Sequence, residues 1–441
     1  MSTVATARPW LVLAENRSVR LFSFFLLYFG QGLPLGFSQI AFPAWLVANG
    51  AEEAAVAAVI GTAFLPWSFK FIPAALMDRY AYLAMGRRRA WLIAAQLMMV
   101  AGFAIAALIA PGPEDLDVIL YIVLLIGAGS AIQDVAVDGL AVDILPDKDQ
   151  GTASAFMFGG QTIGRAASGA AAGIGLQYYG SQATFSFFLP IILLITLYVV
   201  FLRERPGEKR FPWSEGAPSQ VNLARHVGAW SPVLKTTFFS LIKIDSLKLL
   251  GAAALSRTAS GMFTTMWPII GGVGFVGLST AGYSGMISTV GLIMGVVSIG
   301  VGSLLTTMLG ARRSSMLVYI TYALLGLFVL YAQSIWIGTV AFVAMSCVWS
   351  IHDTLTSICT NPLRMQLSDP KVAATQFTIY NSLSNLPVTL GAGLYATLGG
   401  TEEMTTVLWI AIVLLFTGAL GYGWMKAGSR HQEAPVVPAV D

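Results

Sequence analysis

Of the 441 residues, 56% are hydrophobic and only 11% are charged. A soluble domain carries ~25% charged residues, so the composition excludes one. The net charge of +3 says nothing about nucleic acid, and two cysteines in one apolar run imply no disulfide framework.

Apolar stretches of about 20 residues, the length that carries a helix across hydrocarbon, recur along the chain. The first falls near 21–41 and holds Gln31; the second, near 54–77, holds Lys70. The basic loop "DRYAYLAMGRRR" (78–89) leads to a third near 90–110. The fourth, near 117–141, contains Gln133, Asp134 and Asp138, with Asp143 just beyond. The fifth, near 152–177, carries Gln161, Arg165 and a run of glycines (Gly159, Gly160, Gly164, Gly169, Gly173), and the sixth lies near 184–202.

Residues 203–247 concentrate Pro, Gly and charge and read as a cytoplasmic linker with an amphipathic segment. A second set of spans follows near 248–271 (with Arg257), 280–305 (Gly291, Gly295) and 314–332. The last three lie near 335–360 (Cys347, His352, Asp353, Cys359), 373–398 (Asn381, Asn385) and 404–426. The count is twelve: an N-terminal six-helix half (1–202), the linker, a C-terminal six-helix half (248–428) and a disordered tail (429–441). The first span is too long for a signal-peptide core and is expected to be retained.

Basic residues sort to one side. Arg8, Arg17 and Arg20 precede the first span, and Arg79, Arg87, Arg88 and Arg89 follow the second. Arg203, Arg205, Lys209 and Arg210 follow the sixth, Arg312 and Arg313 the eighth, Lys371 the tenth, and Lys426 and Arg430 the twelfth. The opposite loops (43–53, 111–116, 178–183, 272–279, 399–403) contain no Lys or Arg. This bias places both termini of a multi-pass membrane protein in the cytoplasm and supports an even number of spans.

The halves echo one another. "IQD" (132–134) answers "IHD" (351–353), "LPDKDQGTASAF" (145–156) answers "LSDPKVAATQF" (367–377), and the 78–89 loop answers "GSLLTTMLGARR" (302–313). Parallel six-helix repeats of this kind resemble the organisation of major facilitator transporters.

Charges inside a membrane are costly and mark function or pairing. Asp134 and Asp138 share one helix face a turn apart, where two like charges resist joint ionisation, so one is placed to carry a proton. The competing reading pairs Asp138 and Asp143 with loop arginines. Lys70, Arg165 and Arg257 either hold carboxylate or phosphate groups of a substrate or pair internally, Lys70 with Asp134. His352 beside Asp353 is either a proton relay or a hydrogen-bonded packing residue. Gln31, Gln133, Gln161, Asn381 and Asn385 offer neutral hydrogen bonds to a polar substrate. The glycines, Gly291 and Gly295 included, are expected to be surfaces of close helix contact. No metal cluster, phosphate-binding loop or nucleophile elbow appears, so neither a cofactor nor an enzyme is expected.

The segment "FLPWSFKFIPAALMDRYAYLAMGRRRAWLIAAQ" (64–96) with "AIQDVAVDGLAVDIL" (131–145) resembles the AmpG-like branch of the major facilitator superfamily. That branch includes muropeptide permeases, RhtX/FptX-type siderophore importers and acetyl-CoA transporters. "QGLPLGF" (31–37) and "AATQFTIYNSLSN" (373–385) extend the likeness to both halves. It implies that Lys70 is the family lysine and that Asp78, Arg79 and Arg87–Arg89 form the cytoplasmic latch, to which Asp143 is added. Ala74 and Thr306 depart from the general signature of that latch loop. Leu140, Ala141, Leu255 and Thr258 depart from the muropeptide permeases. The expected machine is a monomeric, proton-coupled importer of a polar anionic solute, working by alternating access among membrane lipids without nucleic acid. A membrane-embedded acyl or glycosyl transferase is the alternative. A cysteine placed in the 111–116 loop is expected to react with an impermeant maleimide added outside the cell; labelling only from the cytoplasm would reverse the topology.

Overall fold

The computed structural model describes residues 11–224, 238–368 and 373–426. Arg8, Lys371, the middle of the linker and the tail 429–441 lie outside the described residues. Helices α1 (Arg17–Ala48), α2 (Glu53–Arg79), α3 (Arg89–Ile109) and α4 (Leu116–Ile144) come first. They are followed by α5 (Gln150–Tyr178) and α6 (Gly180–Phe201). After the linker come α7 (Ile244–Gly271), α8 (280–309) and α9 (311–331). The series ends with α10 (Thr339–Leu367), α11 (Ala373–Thr397) and α12 (Met404–Gly423).

These are the twelve spans that the sequence predicts. Helix suits hydrocarbon because it satisfies every backbone N–H and C=O within the segment. Seven stretches are long and apolar enough to cross on composition alone, and one of them, Thr280–Tyr331, is two spans. It divides at Gly310, whose φ of 75° and ψ of 157° only glycine adopts without strain. Helices α5, α7, α10 and α11 are less apolar because Gly, Ser, Thr and Asn dilute them. Helix α10 continues through "TNPLRMQL", seven residues past the apolar run that predicted it.

The chain forms two compact units. One is Met1–Trp230 with Thr264–Leu292; the other is Ser231–Phe263 with Ile293–Asp441. In the first, α1 and α5 press backbone to backbone. A Cβ on Gly32 would collide with the Gln161 carbonyl, one on Gly160 with that of Phe25, and one on Gly164 with that of Phe29. Such contact supplies the dispersion that holds helices together where no hydrophobic force acts between them. Farther along, Gly169 and Gly173 of α5 face Ser288 and Ser284. Gly159 and Gly291, expected among the close contacts, instead face open space.

Two local breaks shape this unit. Pro34 interrupts α1, and a π turn at Phe37–Ala41 follows. That turn seats Phe37 among Phe185, Phe188 and Phe103, with centroids 5.1, 4.8 and 5.4 Å away. Helix α2 breaks after Pro66, between Glu53–Ser68 and Phe71–Arg79, so Lys70 sits at the joint. The second unit repeats the glycine device: a Cβ on Gly261 of α7 would strike the Val388 carbonyl, and one on Gly391 of α11 that of Thr258.

Replacing Gly164 by Leu is expected to cost at least about 3 kcal/mol, because the neighbour it meets is backbone and cannot yield. The control Gly159→Ala is expected to be neutral or slightly stabilising. Thermal melting and monodispersity of the purified variants check both.

Candidate functional site

The fourth helix turns its carboxylates toward α1 and α2. Asp134 is 5% exposed. Its Oδ2 accepts from Lys70 Nζ at 2.8 Å and its Oδ1 from Gln31 Nε2 at 2.7 Å. Lys70 also stands over the Trp67 indole, 5.6 Å from the ring centroid. One turn along, the exposed Asp138 accepts a hydrogen bond from the buried Tyr28 hydroxyl. Tyr28 and Gln31 are three apart on α1 and meet acceptors four apart on α4, so two ridges interlock. Lys70 and Asp134 are thus paired in this structure. Asp138 meets a phenol rather than a loop arginine.

Gln133 faces the other way. It accepts from Gln96 of α3 and donates to the Leu27 carbonyl, while Gln96 accepts from Thr196 of α6 at 3.0 Å. This buried amide chain ties α1, α3, α4 and α6 together. Gln161 and Arg165 lie partly buried on α5 beside Gly32. Arg165 has no carboxylate partner among the described residues; the buried Tyr283 hydroxyl feels its charge.

The basic ends of α2, α3 and α4 form a second cluster. Asp78 Oδ1 accepts from Arg87 Nη2 at 3.3 Å and Arg88 Nη2 at 2.6 Å. Asp143 accepts from Arg87 Nη1 at 3.0 Å and Arg88 Nε at 3.4 Å. The structure therefore brings Asp78, Arg87, Arg88 and Asp143 together. Arg79 is exposed and stands over the Tyr80 ring, 5.7 Å from its centroid. Asp149, at the start of α5, pairs with Arg17 and Arg20, each at 2.9 Å, and they hold its carboxyl below the usual range.

Beneath this cluster lies Glu204. Its carboxylate accepts the backbone N–H groups of Arg87, Arg88 and Arg89 at 2.9, 2.7 and 2.7 Å, capping the positive end of α3. Gly86, at φ 110°, makes the turn, and any side chain there would meet that carboxylate. Burial pushes Glu204 up despite the three amides. Glu208 accepts from the Arg205 N–H at 2.9 Å and from Asn222 of the linker at 2.8 Å. Burial, with Glu204 beside it, pushes Glu208 up to about 7.

In the second unit, Arg257 Nε reaches the Ser384 carbonyl at 3.4 Å. His352 Nδ1 lies 2.8 Å from the Val348 carbonyl and must donate to it, while Nε2 lies 2.9 Å from Thr321 Oγ1. Asp353 is partly buried, and its side chain makes no hydrogen bond or ion pair among the described residues. The adjacent pair is thus not joined side chain to side chain. Asn381 accepts from Arg364, and Asn385 is partly buried one turn farther along.

Tyr28, Gln96, Glu204 and Arg364 are participants that sequence reasoning missed. Tyr28 alone left a signal, its three-residue spacing from Gln31.

The Major Facilitator Superfamily model matches residues 21–392. An anhydromuropeptide permease of Escherichia coli (strain K12) is 28% identical over 298 residues, 66% of this chain and 56% of that protein. The chain thus spans little more than half of that relative's length. Among solved structures the fold is similar to a nucleoside transporter, NupG, with TM-score 0.68 and 14% identity over 92% of this chain and 99% of that one. It is also similar to a peptide transporter, POT, with TM-score 0.67 and 15% identity over 94% and 98%.

Glu208 generates a pH prediction. Its folded value lies above the ordinary 4.5, so the neutral form stabilises the fold fully in acid and that contribution fades as pH rises toward 7. Glu208→Gln is expected to melt roughly 2–4 °C above the parent at pH 8 and to match it at pH 5. Melting curves at the two pH values check this.

Proposed function

The chain belongs to the Major Facilitator Superfamily, and we propose that it is a secondary active transporter importing a polar anionic organic solute with protons by alternating access. The observation that carries this reading is the buried pair of Asp134 and Lys70, held by Gln31. A proton arriving on Asp134 dissolves the pair and frees the Lys70 ammonium for an anionic group on the cargo. Loss of that proton restores the pair and expels the anion.

The charges balance at each stage. The empty site is a carboxylate and an ammonium; the loaded site is a neutral acid, an ammonium and a cargo anion. A site that stays neutral avoids the cost of an isolated charge in hydrocarbon. Asp138, exposed and bonded to Tyr28, stands beside the route the proton takes. His352 and Asp353 supply a second proton station in the other half. Arg165 and Arg257 hold further anionic groups, and Gln161, Asn381 and Asn385 hydrogen-bond the polar body. Asp78, Arg79, Arg87, Arg88 and Asp143 act as the cytoplasmic latch of a protein in the inner membrane, with both termini inside.

The name of the Escherichia coli relative favours a muropeptide-like cargo. Leu140, Ala141, Leu255 and Thr258 weigh against it, and "QDVAVDG" (133–139) is closer to the siderophore and acetyl-CoA branches. The transferase alternative gains nothing from the family match, and the chain is read as a carrier rather than an enzyme.

In proteoliposomes, Asp134→Asn is expected to lose proton-driven accumulation at least tenfold while still exchanging cargo across the membrane. Normal accumulation by this variant would make Asp134 structural and end the coupling reading. Anhydromuropeptide, ferric siderophore and acyl-CoA, compared by thermal shift with Arg165→Gln as control, identify the cargo class.

A further inference from the structure

The second unit contains a buried cation that this mechanism does not use. Arg364 lies one turn from the basic end of α10, and its side chain is 6% exposed. Its Nη1 donates to Asn361 Oδ1 at 2.6 Å and to Asn381 Oδ1 at 2.9 Å. Its Nε is buried without a hydrogen-bond partner. Tyr319 of α9 and Tyr422 of α12 stack nearby, ring centroids 5.3 Å apart and planes 3° from parallel. Both rings are fully buried, the Tyr319 hydroxyl lacks a well-formed hydrogen bond, the Tyr422 hydroxyl has only the neighbouring Ser256 and Tyr319 hydroxyls, and Arg364 feels both rings.

A guanidinium removed from water needs a counter-charge, and amide oxygens supply hydrogen bonds without one. Three buried arginines of the first unit meet this need directly: Arg20 has Asp149, and Arg87 and Arg88 have Asp78 and Asp143, while Arg89 instead fills its donors with four backbone carbonyls. Arg364 has no carboxylate among the described residues. The surrounding groups also share one polarity. Because Asn361 and Asn381 give their oxygens to Arg364, their NH2 groups remain as donors, and both residues are partly exposed. The two phenols add donors behind. One cation, two amide donors and two hydroxyl donors with no acid among them is the chemistry of an oxyanion site.

We propose that Arg364, Asn361, Asn381, Tyr319 and Tyr422 bind an oxyanion, a carboxylate or phosphate group, at the basic end of the second unit. Under the transport reading it receives the anionic group of the cargo after Arg257, whose charge Arg364 also feels. The site itself does not depend on that reading.

The test titrates the purified full chain in detergent with inorganic phosphate at constant ionic strength. It reads the melting temperature and the 19F shift of 3-fluorotyrosine. A saturable response is expected, raising the melting temperature by roughly 2–4 °C near saturation. Arg364→Gln is expected to abolish it. The double variant Tyr319→Phe/Tyr422→Phe, which keeps the guanidinium and decides the matter should Arg364→Gln not fold, is expected to bind at least tenfold more weakly. Asp134→Asn leaves every residue of this site in place and is expected to keep the Arg364-dependent response, so failure of the coupling reading leaves this result standing. No saturable response, or an equal response in the double variant, would overturn the site. In nanodiscs, a phosphate response present in phosphatidylcholine but lost in phosphatidylglycerol assigns the oxyanion to a lipid headgroup; an equal response in both assigns it to a soluble one.

Discussion

A charge cannot stand alone in hydrocarbon, and the contact between Asp134 and Lys70 is where this chain meets that constraint most sharply. The surrounding structure follows from it. The break in α2 after Pro66 sets Lys70 at a helix joint, facing α4. Glycine contacts draw α1 against α5, while α1 presents Gln31 and Tyr28 to the two acids. The amide chain from Gln133 through Gln96 to Thr196 then braces α4 from behind. Each element bends or approaches closely where a buried polar group must find its partner.

The basic end of the first unit resolves the same problem by numbers. Two guanidinium groups and two carboxylates form one network, so no single contact carries the full desolvation of a charge. Glu204 adds a different solution, because backbone amides at a helix N-terminus stand in for a cation. Glu208 has only one such amide, that of Arg205, and burial beside Glu204 pushes it up to about 7. The linker is tied to this region through Asn222, so the protonation of Glu208 bears on how the linker docks.

The spans were legible because hydrocarbon imposes length and apolarity, and a pattern of about 20 residues survives local noise. The acids of α4 and the arginines of the 78–89 loop were legible for the opposite reason: they violate that pattern or crowd its edge. What the sequence hid were partners. Glu204 sits in a charged linker where one more acid carries no signal. Gln96 is one polar group in an apolar helix until Gln133 is placed opposite it. Arg364 escapes a reading from apolarity because α10 runs on after its apolar stretch ends, so a helical, buried arginine falls outside the span that hydropathy predicts. The glycines divided by orientation: those at 160 and 164 meet backbone, whereas those at 159 and 291 meet nothing, and spacing alone does not separate the two.

Buried cations along this chain are matched in different ways, and this difference bears on how such a protein would move. Where a guanidinium already holds a carboxylate, separating them exposes two charges at once, so the contact resists rearrangement. Where it holds only neutral amide oxygens, an incoming anion gains a full counter-charge and displaces nothing of equal strength. Matched charges such as those around Asp143 therefore suit a scaffold, and the Asp134–Lys70 pair, under the proposed coupling, a switch in which a proton cancels one partner before the other is released. The donor-only surroundings of Arg364 suit a place where an anion arrives and leaves without a proton.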